Sequence, residues 1–221
     1  MHSRLERISS LSIPAAFRGM QPSNAGTSFN CEQTFSPSSI FSYIRKKKDN
    51  TMKKPFNLKQ WVDDNRHLLK PPVGNKQVYF DNEDYIVMVV GGPNGRKDYH
   101  WEDGEELFYQ LEGDITLKII NEDGTPEDIP IREGDMFLLP PRIPHSPQRP
   151  ANTIGLVIER YRRPNEVDKL MWFCEKCNHK LHEATFEMKD IVNQLPVVMN
   201  AFMDSEELRT CSKCGAVMER A

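Results

Sequence analysis

Apolar residues recur along this chain with two different periods, and the change between them marks where one kind of structure gives way to another. Over residues 58–69, Leu58, Trp61, Val62, Asn65, Leu68 and Leu69 fall on one side at helical spacing, and Asn57 stands where a cap is needed. A helix is therefore predicted from 57. KPPVGN at 70–75 ends it, because proline lacks the backbone donor and restricts the residue before it. From there to about residue 160 the period is two. In DITLKII, Ile115, Leu117 and Ile119 alternate with Thr116 and Lys118, the pattern of a half-buried strand, while YIVMVV at 85–90 has the length of a fully buried one. Strands are predicted at 77–80, 85–90, 105–111, 114–120, 128–131, 135–139 and 153–160, separated by GGPNG, EGD, NEDGT and REGD. Seven short strands with no helical run between them predict an antiparallel barrel or sandwich rather than a parallel sheet; the pairing order stays open.

Both flanks of this region have a different texture. Residues 1–51 are rich in serine with scattered arginine and a basic RKKK at 45–48, and show few apolar repeats. They read as a disordered or artefactual N-terminal extension, with Met52 available as an alternative start. A secretory signal would need a continuous apolar stretch, which is missing, and the Arg/Ser bias of a transit peptide is diluted by Glu6 and Glu32. After RRPNE at 162–166 comes a segment opening with WFCEKC and closing with CSKCG, with a helical stretch of Leu195, Val197, Val198 and Phe202 around a proline between them. About fifty residues make a small unit that needs a staple.

Composition narrows the classes of function. A formal net charge of -3 with 28% charged residues in 221 is that of a globular protein and gives no reason to expect nucleic acid as a partner. No apolar run is long enough to cross a bilayer, so no membrane partner is expected either. The five cysteines supply the staple: Cys174 with Cys177 and Cys211 with Cys214 form two C-x-x-C pairs, leaving Cys31 as an incidental thiol. The spacing lets two sulfurs face one ion and a second pair close the tetrahedron, so four thiolates on Zn²⁺ or on a single iron are expected, in a reducing compartment. His179 and His182 follow the first pair and are read as non-ligands. Four protein ligands leave no open position, which suits a structural or electron-handling centre.

A second constellation is dispersed. His100, Glu106 and His145 are two imidazoles and a carboxylate, a set able to occupy one face of an octahedral metal and leave three positions open. On spacing alone, each histidine is equally well a satisfied polar group near a loop, and the acidic run Glu102, Asp103, Glu105 and Glu106 a solvated turn.

The surrounding residues carry a resemblance. The stretch from His100 through Glu106 to Gly113 resembles the first cupin motif, and GDMFLLPPRIPH, with Gly134, Pro140 and His145, resembles the second. Two positions depart from the pattern. Glu102 stands where a second histidine is usual, and Arg142 where a glycine is. NRHLLKPPVGN, GPNGRKDYHWEDGEELFYQLEGDITLKI, IPIREGDMFLLPPRIPHSPQRP and LVIERYRRP are similar to the 3-hydroxyanthranilate 3,4-dioxygenase family, as is the double knuckle, which resembles the rubredoxin-like site of its bacterial-type members. The resemblance spans roughly residues 56–215.

It implies an all-β cupin double-stranded β-helix, a jelly-roll barrel, over residues 52–165 with an N-terminal helix, followed by the four-cysteine metal segment at 166–221. It implies Fe(II) on His100, Glu106 and His145. By the same resemblance Arg149 binds the substrate carboxylate, Glu159 works with it in positioning substrate, and Arg96 lies on the oxygen-binding side. Asn75 would line the pocket and Asp98 would give support from behind. The reaction implied opens the ring of 3-hydroxyanthranilate with O2, giving 2-amino-3-carboxymuconate semialdehyde, the precursor of quinolinate in tryptophan degradation and NAD biosynthesis. A cytoplasmic homodimer is expected. The rival readings are another non-haem iron cupin dioxygenase and a non-catalytic metal-binding cupin.

Overall fold

A short helix, eleven strands and two further helices follow one another in the computed structural model, which describes residue 52 and residues 54–71, 74–80 and 84–220, within the unit Lys48–Ala221. The extension expected over 1–51, Cys31 included, lies outside the described residues. Helix α1 (Leu58–Asn65) begins where the sequence placed it, with the Asn57 side chain accepting from the Gln60 N–H. It then tightens into a 3-10 turn at Arg66–Leu68. That tightening rotates Leu68 outward to 40% exposure, whereas Val62 and Leu69 are buried with Val89 and Ile154 beneath the helix.

The strands are β1 (Asn75–Gln77), β2 (Tyr85–Gly91), β3 (Asp98–Trp101), β4 (Glu106–Glu112), β5 (Ile115–Ile120), β6 (Pro126–Ile131), β7 (Met136–Leu139), β8 (His145–Gln148), β9 (Ile154–Arg160), β10 (Asp168–Phe173) and β11 (Lys180–Phe186). They form two antiparallel sheets, one in the order β1-β2-β9-β4-β7 and the other β11-β10-β3-β8-β5-β6. This corrects the expected jelly-roll barrel. A barrel requires every strand to be hydrogen-bonded on both sides. Here no ladder among the described residues joins β1 or β7 to β6 or β11, and each sheet keeps two edges. The sequence of β6 suits an edge, since Pro126 and Pro130 lack the N–H that a further neighbour would need. The architecture is a pair of antiparallel sheets with helical segments.

Apolar residues of both sheets meet between them. Ile86, Met88, Phe108, Leu139 and Val157 come from the five-stranded sheet, and Ile115, Leu117, Ile119 and Ile131 from the six-stranded one. Leu117 is fully buried there. Leu117→Ala is therefore expected to lower stability by about 2–5 kcal/mol, the range for a buried leucine that leaves a partly collapsed cavity. A shifted urea midpoint with the metal content unchanged is the measurement that checks it.

Past residue 166 the chain continues the six-stranded sheet: β10 pairs with β3 on one side and with β11 on the other. Helices α2 (Ile191–Asp204) and α3 (Glu206–Arg209) follow. Phe202 of α2 stacks on Trp172 of β10 with ring centroids 4.2 Å apart, in a second core with Leu170 and Met218. No helix among the described residues is long and apolar enough to cross a membrane.

Candidate metal centre and active site

Two strands that the hydrophobic pattern did not reveal, β3 and β8, are neighbours in the six-stranded sheet, with His100 directly opposite His145. Glu106 begins β4 in the other sheet, opposite Glu159 of β9. The gap between the sheets thus receives two imidazoles from one side and a carboxylate from the other. All three residues are buried, and their potential ligand atoms lie within 4.8 Å of one another.

The hydrogen bonds fix which atoms are free. His145 Nδ1 donates to the Ile143 carbonyl at 3.0 Å, because a carbonyl only accepts, and this leaves Nε2 with its lone pair. His100 Nε2 donates to Asp168 Oδ1 at 2.7 Å, which leaves Nδ1. His145 Nε2 sits 2.7 Å from Glu106 Oε2, yet that oxygen has no aligned hydrogen bond. Two buried ligand atoms this close need a proton or a metal ion to hold them together. Burial tends to raise the Glu106 carboxyl, but His145 and His100 outweigh it and hold it below the ordinary range. A mononuclear Fe(II) fits this two-histidine, one-carboxylate set, with each imidazole held by a partner on its other nitrogen.

Behind the site, Arg162 gathers three carboxyl groups. Its Nε and Nη2 hold Asp168, the residue that orients His100, and its Nη1 donates to Glu159 Oε2 at 2.8 Å and to the Arg160 carbonyl at 3.2 Å. Both hydrogens of Nη1 are then used. Glu102 Oε2 lies 2.8 Å from the same nitrogen without an aligned bond. Burial, and after it the Glu159 charge, push the Glu102 carboxyl up to about 10, so it is protonated at neutral pH. Glu102 lies outside the ligand cluster.

A cavity of about 860 Å³ opens in front of the three ligand residues. Asn75, Arg96, Arg149 and Glu159, all singled out in the sequence, line it together with His100, Glu106 and His145. Its walls include Met88, Val90, Phe108 and Val157 from the sheet and Ile191, Leu195 and Met199 from α2. Arg96 is paired with Asp98, which is fully buried. Arg149 is only 3% exposed, and among the described residues no carboxylate pairs with it. Its Nε has no partner, Nη1 donates to Gln110 at 3.3 Å, and burial, with the nearby Arg96 charge, pushes it down to about 10. Glu159 is paired with Arg162 and keeps Oε1 free of hydrogen bonds. Sequence reasoning missed Gln110, Arg162 and Asp168. The only signal for the last two was their presence in the run RYRRPNEVD.

The four cysteines form a separate cluster, with Cys174 and Cys214 sulfurs 3.6 Å apart and Cys177 and Cys211 likewise. The two knuckles repeat one turn. The Asn178 N–H donates to the Cys174 carbonyl and the Gly215 N–H to the Cys211 carbonyl, and both donors have positive φ, 54° and 72°. Four converging thiols fit a second metal ion.

Two antiparallel sheets holding two histidines and a carboxylate between them, with a cavity in front, define a cupin-type protein of the non-haem iron class. A model of the family described as 3-hydroxyanthranilic acid dioxygenase matches residues 51–203, and the chain belongs to that family. It is similar to the 3-hydroxyanthranilate 3,4-dioxygenase of Xanthomonas euvesicatoria pv. vesicatoria, 58% identical over 161 residues that cover 73% of this chain and 90% of that one. The 3-hydroxyanthranilate 3,4-dioxygenase of Bacillus cereus is 45% identical over 163 residues, 74% of this chain and 90% of that one. Among solved structures, a cupin-2 domain containing protein from Shewanella frigidimarina is 19% identical over 48% of this chain and 93% of that one, with a TM-score of 0.38.

Proposed function

We propose that this chain opens the ring of 3-hydroxyanthranilate with O2 to give 2-amino-3-carboxymuconate semialdehyde, the quinolinate precursor of the kynurenine route to NAD. The observation that carries this reading is Arg149, a buried guanidinium without a carboxylate partner among the described residues, in the same cavity as a three-ligand metal site. A buried charge is costly until it is paired, so the cavity is built for an anion. Bound Fe(II) supplies the redox chemistry that lets dioxygen react with an aromatic ring. Both oxygen atoms end in the product, and no external reductant is consumed.

The residues of the chain place and enclose the substrate. Arg149 takes its carboxylate through a planar fork matched to two oxygens. Glu159, with one unbonded oxygen, accepts from the amino or hydroxyl group on the other side of the ring. Arg96, fixed by Asp98, lies on the oxygen side, and Asn75 contributes to the rim. Met88, Phe108, Val157 and Leu195 give the ring apolar walls and exclude water. The four-cysteine centre, holding iron or zinc, clamps the C-terminal segment.

A homodimer is supported by the outer face of the five-stranded sheet. Phe108 and Leu139 point into the core, so Leu107, Tyr109, Met136 and Leu138 face outward beyond the cover of α1, with Met136 67% exposed. Free thiols suit a cytoplasmic setting.

The test is to load the protein with Fe(II) without air, add 3-hydroxyanthranilate, then admit oxygen. Growth of the semialdehyde's near-ultraviolet absorbance is expected, and none with iron verified by metal analysis would refute the activity.

A further inference from the structure

We propose that Gln110 is a positioning residue that holds Arg149 oriented but unpaired, and so sets the preference of the cavity for a carboxylate-bearing ring. This rests on the reading above that Arg149 receives the substrate carboxylate.

Gln110 is 2% exposed, and both ends of its amide are engaged. Its Nε2 donates to the Glu112 carbonyl at 2.9 Å, and its Oε1 accepts from Arg149 Nη1 at 3.3 Å. The orientation is forced, because neither a carbonyl nor a guanidinium can take the opposite role. The register of β4 against β9 shifts between Gln110 and Glu112, which brings that carbonyl within reach of the amide nitrogen. Across the ladder from Gln110 stands Gly155. A Cβ there would lie 2.8 Å from both Arg149 Nη1 and Gln110 Oε1, so the absence of a side chain leaves the lane in which the two groups meet. On the backbone side, Asn94 Oδ1 accepts from the Arg149 N–H at 2.9 Å.

Each hydrogen-bond partner of Arg149 described by these contacts is therefore neutral. Elsewhere in the site arginines meet carboxylates: Arg96 has Asp98, and Arg162 has Glu159 and Asp168. A glutamate at position 110 would have the same shape and would be repelled by the Glu112 carbonyl, turning its charge onto Arg149. The internal carboxylate would then compete with that of the substrate. Glutamine supplies the acceptor that fixes the guanidinium without satisfying its charge.

The experiment compares Fe(II)-loaded wild type, Gln110→Glu and Gly155→Ala by anaerobic spectroscopic titration with 3-hydroxyanthranilate and with 2-aminophenol. The second ligand keeps the chelating hydroxyl and amino groups and lacks the carboxylate. Gln110→Glu is expected to bind 3-hydroxyanthranilate roughly ten- to a hundredfold more weakly, as for disturbance of a buried charge pair. Its affinity for 2-aminophenol and its iron content are expected to be unchanged, and steady-state kinetics to show a raised KM at retained kcat. Gly155→Ala, which displaces the guanidinium from the opposite side, should lose the same preference, and it decides the matter if Gln110→Glu fails to fold. Equal loss for both ligands, or no loss for either, in a folded variant of a wild type that prefers 3-hydroxyanthranilate would overturn this inference alone. A wild type that binds both ligands equally would overturn the assignment of Arg149 and this inference with it.

Discussion

A His145→Ala protein is expected to purify without catalytic iron and to show no turnover, whereas Arg149→Ala keeps its iron and loses affinity for substrate. The two residues line one cavity, so the contrast separates holding the metal from holding the ring. Removing His145 leaves His100 and Glu106, two ligands where three are needed to fix a metal facially. Removing Arg149 touches none of the ligand atoms. The expected loss is that of a charge-assisted bidentate contact, about 2–5 kcal/mol in substrate binding. Metal analysis of both variants beside anaerobic substrate titration checks the pair, and full iron and activity in the His145 variant would show the ligand assignment to be wrong.

Arg162→Met is the second change with a large expected effect, and it acts from outside the cavity. The arginine side chain is 6% exposed and stands against Glu102, Glu159 and Asp168. Breaking a buried ion pair by removing one partner costs about 3–5 kcal/mol, because the other charge stays behind. Here Glu159 would lose its pair and Asp168 would keep only His100. The His100 ring would also lose the fixed carboxylate that orients it, so iron should bind more weakly as well. Arg162→Lys should recover little, since one ammonium cannot reproduce a fork that reaches two carboxylates at once. Glu102→Gln, by contrast, should be close to neutral, because that carboxyl is already protonated. Urea midpoints of the metal-free proteins, with iron affinity measured separately, distinguish these outcomes. A destabilised Glu102→Gln alongside an unaffected Arg162→Met would refute the network.

Strands that bury apolar side chains on one face were legible in the sequence, and strands that bury the site were not. Ile115, Leu117 and Ile119 announce β5 by alternation. In β3 the buried positions are Asp98 and His100, a period of two written in polar residues, and in β8 they are the adjacent His145 and Ser146, which show no period at all. The feature that hid these strands from a hydrophobic pattern is the one that makes them functional. The metal ligands were legible through resemblance to motifs. Their hydrogen-bond partners were not, because Ile143 contributes only its backbone and Asp168 lies 68 residues from His100. The barrel was over-read for a related reason. Alternation tells which face of a strand is buried, but it says nothing of which strand lies beside it, and the four sheet edges are visible only once the ladders are known.

The long reach from Asp168 to His100 also orders events at the ribosome. Synthesis runs from the N-terminus, and strands far apart in sequence can pair only when the later one has emerged. All three ligand residues are made by residue 145. The carboxylate that orients His100, the strand β10 that flanks β3, and the α2 wall of the cavity come only afterwards. A nascent chain halted before residue 168 carries all three ligand residues of the site between the sheets and lacks the carboxylate that holds His100 in place.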